Sequence, residues 1–304
     1  MNTDDRTKQK LKFAVYFTIG IFVVEVIGGV WTHSLALLSD AAHVMMDLFS
    51  MVLSLVAVYL SSRPASDTRT YGWHRAEVFA ALFNGTSIFL VSLWIMYETV
   101  KRLKVPHDIK SVEMIVIAVF GLVANLIVLF ALKEHSHRDV NMRSAFLHVL
   151  GDFLSSIGLV IAGVVIYFTN WLYTDHIVAA IIGISIMFGS VRVLKDASHI
   201  LFEGVPQWLD FNKVADALKG VPGVKDIHHL HIWCICSNLI SLSSHVLIDS
   251  KDRERSDEII RELNKVLREK FCITDTTIQL DELVTPEDTL IPGVAHSPEE
   301  HEEH

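Results

Sequence analysis

Cysteine is scarce in this sequence, and charged residues are fewer than in most soluble proteins. The three cysteines, Cys234, Cys236 and Cys272, form an odd set without disulfide-like spacing, which is typical of a domain in a reducing compartment. Charged residues make up 20% of the 304 positions, whereas apolar residues make up 51% and the mean hydropathy is +0.40. This composition favours a membrane protein over a soluble one.

The sequence also lacks an excess of basic residues and a cleavage site typical of a signal peptide. The net charge is −9 and is concentrated after residue 203, so the composition gives no support for nucleic-acid binding. The first apolar stretch is long enough to span a bilayer and has no small-residue cleavage site after it. We therefore expect no cleavable signal peptide.

Long apolar runs are what the sequence has in abundance. A bilayer core needs roughly 20 mostly apolar residues per helix. Six stretches meet this requirement, and they cover residues 12–31, 36–60, 78–100, 112–132, 144–168 and 176–200. The sequence therefore predicts an α-helical membrane protein built on a bundle of six transmembrane helices.

After Pro206 the pattern changes to that of a small soluble domain. Helical spacing at 210–219 and 254–270, with apolar strands at 226–236, 240–248 and 276–283, predicts an α/β fold in the order helix-strand-strand-helix-strand. The predicted organisation has four parts: a cytosolic N-terminus at 1–11, a transmembrane domain at 12–203, a cytosolic domain at 206–284 and a disordered acidic, histidine-containing tail at 285–304.

The distribution of Lys and Arg predicts the orientation in the membrane. An even number of spans puts both termini on one side, and most basic residues near the span ends lie on that side. The opposite side has basic residues in one loop, at Lys101, Arg102, Lys104 and Lys110. We expect both termini in the cytoplasm. The short loops and the lack of a long histidine-rich insertion favour a bacterial inner membrane.

Two predicted spans carry histidine and aspartate, which are costly inside a bilayer. His43 and Asp47 are four residues apart in the second span, and His148 and Asp152 are four apart in the fifth. Each pair therefore projects from one face of its helix. Two facing helices would then offer two imidazoles and two carboxylates, a tetrahedral ligand set that suits zinc. The alternative is that these side chains pair with one another between helices.

Other polar residues in the spans have weaker interpretations. Asp40 lies three residues before His43. It could act near the metal site, at its mouth or behind its ligands, or it could simply cap the helix. Glu25 and Glu98 are expected close to the membrane interfaces, where they would snorkel or pair. Asn125 is expected to hydrogen-bond across the bundle.

Five stretches carry a family resemblance: SLALLSDAAHVMMDLFS, TRTYGWHRAEVFAA, MRSAFLHVLGDFLSSIG, DIHHLHIWCICSNLISLSSHV and TTIQLDE. They resemble the second-helix signature, the segment between the second and third helices, the fifth-helix signature and, for the last two, the cytosolic domain of one family. The sequence therefore resembles the cation diffusion facilitator family of divalent-metal transporters, in its zinc-transporting branch. The resemblance covers about residues 12–283. It implies a homodimer, a ferredoxin-like cytosolic domain and alternating access, with metal leaving as protons enter.

The resemblance also implies a second metal site in the cytosolic domain. Strand alternation puts His229 and His231 on one face and His228 on the other. Members of the family hold metal at similar positions, and the candidate ligands in this sequence are His228, His231, His245, Asp275 and Asp281. The alternative is a set of polar side chains on a solvated face. A charge contact between Arg75 and Glu203 is a further expectation.

These observations predict a zinc efflux transporter that exchanges cytoplasmic metal for external protons, with Zn²⁺ as substrate and as an ion for the cytosolic site. The expected partners are divalent metals, protons, the lipid bilayer and a second copy of the chain. The alternative function is a membrane-bound metal sensor or assembly partner on the same fold. No HExxH motif lies on a membrane helix, so an intramembrane metalloenzyme is not expected.

Overall fold

The structure, a computed structural model, describes residues 3–104, 108–133, 140–283 and 289–291. Within these ranges the side chains of residues 3–17, 131–133, 140–145 and 148 are left out of the description. The chain forms two compact units. The first contains the chain up to Val56 together with Ala80–Leu194, and the second contains Ala57–Phe79 together with the chain from Lys195 onward.

Six long helices come first along the chain. They are α1 (Thr3–Thr32), α2 (Leu35–Ser61), α3 (Ala76–Lys104), α4 (Ser111–Lys133), α5 (Val140–Thr169) and α6 (Tyr173–Leu201). Helices α2 to α6 each contain a segment long and apolar enough to cross a membrane. In α1, the apolar segment with described side chains is Thr18–Thr32, so the first of the six spans stays a prediction.

Large apolar side chains on these helices are exposed to the surroundings of the protein, as expected for surfaces that face lipid. The interior of the first unit is packed with aliphatic side chains and alanines, and glycines lie at some of its helix contacts. Gly28 of α1 lies directly against Ile117 of α4, and Gly163 of α5 lies against Ile115 of α4. Glycine at such positions allows helix backbones to approach closely, which stabilises helix pairs in a bilayer.

The beginning of α2 is capped by a carboxylate from a distant helix. Asp175, in the first turn of α6, is 1% exposed. Its two oxygens accept hydrogen bonds from the Ser34 hydroxyl (2.5 Å), the Leu35 amide (2.7 Å) and the Ala36 amide (3.2 Å). The first amides of a helix have no partner within it and carry partial positive charge, so a buried carboxylate satisfies them well. This contact fixes the start of α2 to the start of α6.

The second unit contains a three-stranded sheet with two helices. Its elements are α7 (Phe211–Lys219), β1 (Val224–Cys236), β2 (Leu239–Ile248), a 3₁₀ helix (Ser250–Arg255), α8 (Ser256–Phe271) and β3 (Asp275–Asp281). The strand order is β1-β2-β3, with β1 antiparallel and β3 parallel to β2. The predicted helix-strand-strand-helix-strand order is confirmed, and α8 provides the crossover that parallel strands require.

The apolar faces of α7 and α8 meet the sheet in one core. Val214 and Leu218 of α7, and Leu263 and Leu267 of α8, are fully buried against Leu242 of β2 and its neighbours. The helical spacing read from the sequence brings these residues to one face. Asp210 caps α7 by accepting hydrogen bonds from the Asn212 and Lys213 amides.

A short part of the tail pairs with the sheet. The His229 and Leu230 amides of β1 donate hydrogen bonds to the Thr289 and Leu290 carbonyls, both at 2.9 Å. The expectation of a disordered tail over 285–304 does not describe Thr289–Ile291, because two backbone hydrogen bonds join this stretch to β1 and Leu290 packs against the core. The rest of that predicted tail lies outside the described residues.

We predict that Asp175→Asn destabilises the protein by about 2 kcal/mol. The two carboxylate oxygens of Asp175 accept hydrogen bonds from three donors, whereas the asparagine side chain has only one acceptor oxygen. Thermal unfolding in detergent should show a transition lowered by several degrees. Asp210→Asn is the matched control, since asparagine caps an exposed helix as well as aspartate does. Equal effects of the two substitutions would contradict the special role assigned to Asp175.

Candidate metal centres

Three of the four predicted intramembrane ligands lie together. The His43 Nε2 atom of α2 is 3.1 Å from the Asp152 Oδ1 atom of α5 and 3.8 Å from the Asp47 Oδ2 atom. One ligand atom from each residue falls within 4.8 Å of the other two. The i, i+4 spacing in α2 aims His43 and Asp47 at the same neighbour, and α5 supplies Asp152 from the other side. Atoms this close could bind a single metal ion.

The fourth predicted ligand is His148. Its backbone belongs to α5, one helical turn before Asp152. Its side chain lies outside the described part of the structure. The two-histidine, two-aspartate set therefore stays a prediction at this one position.

A second layer of polar contacts surrounds the three ligands. Asp40 of α2 is buried and accepts a hydrogen bond from the Ser155 hydroxyl of α5 at 2.9 Å. Asn125 of α4 donates to the Ser156 hydroxyl at 2.9 Å, and Ser156 in turn donates to the Asp152 carbonyl. The expected cross-bundle hydrogen bond of Asn125 is confirmed. Simple capping by Asp40 is wrong, because Ser34 and Asp175 satisfy the start of α2.

One expectation about the spans needs correction. Glu25 does not snorkel to the surface, because its side chain is 3% exposed and lies in the interior of the first unit. Glu98 behaves as expected, since it pairs with Arg102 at 3.1 Å and with Lys101 at 3.3 Å. The hydrophobicity of a helix does not indicate which face meets another helix, so sequence alone could not locate Glu25.

A cavity of about 550 Å³ reaches the intramembrane ligands. Its walls come mainly from α5 and α6, and among the side chains that the structure describes His43 and Asp152 are the titratable ones in its lining. Most of the remaining lining is apolar. A small cation in this cavity would find its polar contacts concentrated at the His43–Asp152 end.

The second unit contains another group of metal-ligand atoms. Asp281 Oδ2 is 2.9 Å from His245 Nδ1 and 3.3 Å from His228 Nε2. Ligand atoms of the three residues fall within 4.8 Å of one another. His228 is 4% exposed, and its Nδ1 atom has no hydrogen-bond partner among the described residues. Two imidazoles and a carboxylate are ligands that zinc accepts.

The carboxylate of this group is held in its ionised form. Burial disfavours the charge on Asp281, but hydrogen bonds from Gln279, His245 and His228 together hold its pKa below the ordinary value. Because metals bind the deprotonated carboxylate, Asp281 is ready to bind metal at neutral pH.

The β1 strand departs from simple alternation at this site. His229 has a φ of +50°, and the pairing of β1 with β2 shifts register between His228 and His231. Such a bulge reverses the alternation of side chains. His228 therefore lies beside His245, with ring centroids 5.3 Å apart, rather than on a separate face from the site.

Two predicted members of the cytosolic set lie elsewhere within one subunit. Asp275 is six residues before Asp281 on β3, and its Oδ2 atom accepts hydrogen bonds from Ser241 (2.5 Å) and Tyr71 (3.1 Å). The bond to Asp275 raises the pKa of the Tyr71 phenol. His231 is exposed and lines a separate cavity of about 1080 Å³. Strand length separates Asp275 from the group, and His231 pairs with Ser243, two residues along β2 from His245.

The expected contact between Arg75 and Glu203 is present as an ion pair of 3.2 Å. The two side chains are 46% and 62% exposed, so the pair contributes little to stability by itself. It lines the same cavity as His231.

Comparison with known sequences identifies the family. Residues 11–202 match the family described as "Cation efflux transmembrane domain", and residues 206–283 match "Cation efflux protein, cytoplasmic domain". The chain belongs to the cation efflux family. It is therefore an integral membrane protein of the metal-efflux class, and the resemblance drawn from the helix signatures is confirmed.

Relatives in this family align over nearly the whole chain. The metal cation efflux system protein CzcD of Cupriavidus metallidurans is 39% identical over 274 residues, covering 90% of this chain and 86% of CzcD. A cadmium, cobalt and zinc/H(+)-K(+) antiporter of Bacillus subtilis is 35% identical over 283 residues, covering 92% and 91% of the two chains. A solved metal-bound C-terminal domain of the Cupriavidus CzcD is 38% identical, with a TM-score of 0.23 over 24% of this chain and 99% of that one.

We predict that Asp281→Asn lowers the zinc bound per full-length protein in detergent, because the amide cannot replace the carboxylate that joins His228 and His245. Equilibrium dialysis with zinc analysis by atomic absorption measures this loss, and affinity at the site should fall at least about tenfold. Asp275→Asn, on the same strand, is the matched control and should leave binding unchanged. The opposite order of effects would move the site to Asp275.

Proposed function

We propose that the protein exports Zn²⁺ from the cytoplasm in exchange for protons, through a site formed by His43, Asp47, Asp152 and His148. The observation that carries this proposal is the convergence of His43 and Asp47 from α2 with Asp152 from α5 inside the membrane-spanning unit. Membership of the efflux family and the zinc and proton named for the Bacillus relative support it.

The chemistry of the ligands couples metal to protons. Imidazole binds metal when it is neutral, and it titrates near physiological pH. A site open to the cytoplasm at neutral pH would bind Zn²⁺. The same site open to a more acidic exterior would take up protons on His43 or His148 and release the ion. Alternation between these two openings then moves zinc outward and protons inward.

The ligand types favour zinc over harder cations. Nitrogen and carboxylate oxygen in a compact, four-membered set suit Zn²⁺, whereas Mg²⁺ and Ca²⁺ prefer six or more oxygen ligands. Cadmium and cobalt, both named for the Bacillus relative, could bind the same atoms. Zinc is the proposed physiological substrate.

The second unit is proposed to act in the cytoplasm as a dimerisation and metal-binding domain. Residues 206–283 match a cytoplasmic domain of the family, and the group of His228, His245 and Asp281 offers a site for a resident zinc ion. Zinc there would cross-link β1, β2 and β3, and so stabilise the domain. The proposed setting is a bacterial inner membrane with both termini in the cytoplasm, and no enzymatic activity is proposed.

Reconstituted proteoliposomes test the transport proposal. Zinc flux and lumenal pH should change together in the wild type, and both Asp47→Ala and Asp152→Ala should reduce the flux at least about a hundredfold, because each removes a charged ligand. Asp249→Ala, at the surface of the second unit, is the control and should transport normally. Stoichiometric zinc binding without any flux in folded wild type would instead identify a membrane-bound sensor or assembly partner.

A further inference from the structure

A buried carboxyl on α1 lies near the intramembrane site but outside its ligand set. The inward face of the described part of α1 consists of Ile21, Glu25, Gly28, Gly29 and Thr32, at helical spacing. Val23, Val24 and Ile27 point outward and are exposed. Glu25 therefore occupies the middle of the face that packs into the bundle. An acidic residue at such a position is expensive and calls for a function.

The contacts of Glu25 leave part of its carboxyl without a partner. Gly121 of α4 lies so close that a Cβ atom built on it would be 3.0 Å from Glu25 Oε1. The Oε2 atom is buried and has no hydrogen-bond partner among the described residues. Glycine at 121 thus provides the space for this carboxyl. An ionised carboxylate with so few donors is strongly disfavoured, so the neutral acid is the form that fits.

The groups that act electrostatically on Glu25 come from the metal site. Among the residues with described side chains they are Asp40 and His43 on α2 and Asp152 on α5, and neither Thr18–Thr32 of α1 nor the facing part of α4 contributes another charge. Asp40 is tied to α5 through Ser155, and Asn125 of α4 is tied to α5 through Ser156. Glu25 therefore shares one buried polar region with the ligands.

We propose that Glu25 carries one of the protons exchanged for zinc, without coordinating the metal. This inference rests on the proposed zinc–proton exchange and adds a proton-binding site to it. In the empty site the buried Oε2 atom, which has no hydrogen-bond partner among the described residues, favours the neutral acid at Glu25. Arrival of an ion with two positive charges reverses the local field, and the carboxyl then releases its proton to water.

Proton counting on the full-length protein tests this role. Zinc binding is measured by isothermal titration calorimetry in buffers of different ionisation enthalpy, which gives the number of protons released per zinc bound. All variants carry Asp281→Asn, so that the intramembrane site dominates. Glu25→Gln should bind zinc within about threefold of its parent and release about one proton fewer. Glu113→Gln, which removes a carboxyl from the first turn of α4, is the matched control and should release the parent number.

The outcomes separate this inference from the transport proposal. A parent that neither releases protons nor transports zinc would overturn the exchange itself. A parent that releases protons, together with a Glu25→Gln variant that binds zinc and releases the same number, would overturn the role of Glu25 alone.

A second measurement covers the case in which Glu25→Gln does not fold. Infrared difference spectra of the wild type on zinc addition should show the loss of a protonated carboxyl band. Glu25→Asp keeps an ionisable group and should shift that band. A wild-type spectrum without any such loss would contradict the proposal.

Discussion

The structure depends on one constraint, the high cost of leaving a charge or a helix end without a partner away from water. Asp175 illustrates how the protein meets it. A single carboxylate satisfies the start of α2 and is itself stabilised by the donors that it caps. Because α2 carries His43 and Asp47, the contact that secures the end of this helix also helps to set the position of two ligands.

The two metal-ligand groups both consist of His and Asp side chains, but they are built on different secondary structures. The intramembrane group draws on two helices, so its geometry changes whenever α2 and α5 move relative to each other. The group of His228, His245 and Asp281 is built on three hydrogen-bonded strands of one sheet. A sheet holds its side chains in fixed register, which is consistent with the resident ion proposed for this group, whereas the proposed transport site has to release its ion.

Much of the fold and the intramembrane site could be predicted from the sequence. Apolar length and helical spacing predicted the helices, and the cost of charge in a bilayer singled out His43, Asp47 and Asp152. The predictions that failed depend on backbone geometry, which the spacing of residues in the sequence does not show. The bulge at His229 put His228 on the same face of the sheet as His231, and strand length took Asp275 out of the cytosolic group. The inward face of α1, and with it Glu25, follows from packing against Gly121.

The hydrogen bonds of Thr289 and Leu290 to β1 cover part of an edge of the sheet. β1 is an edge strand by the order β1-β2-β3, and an exposed edge invites pairing with other chains. The two backbone hydrogen bonds cover the middle of that edge with the protein's own chain. The other edge strand of the sheet is β3, whose seven residues include two aspartates, and charged side chains on an edge strand discourage pairing with other chains.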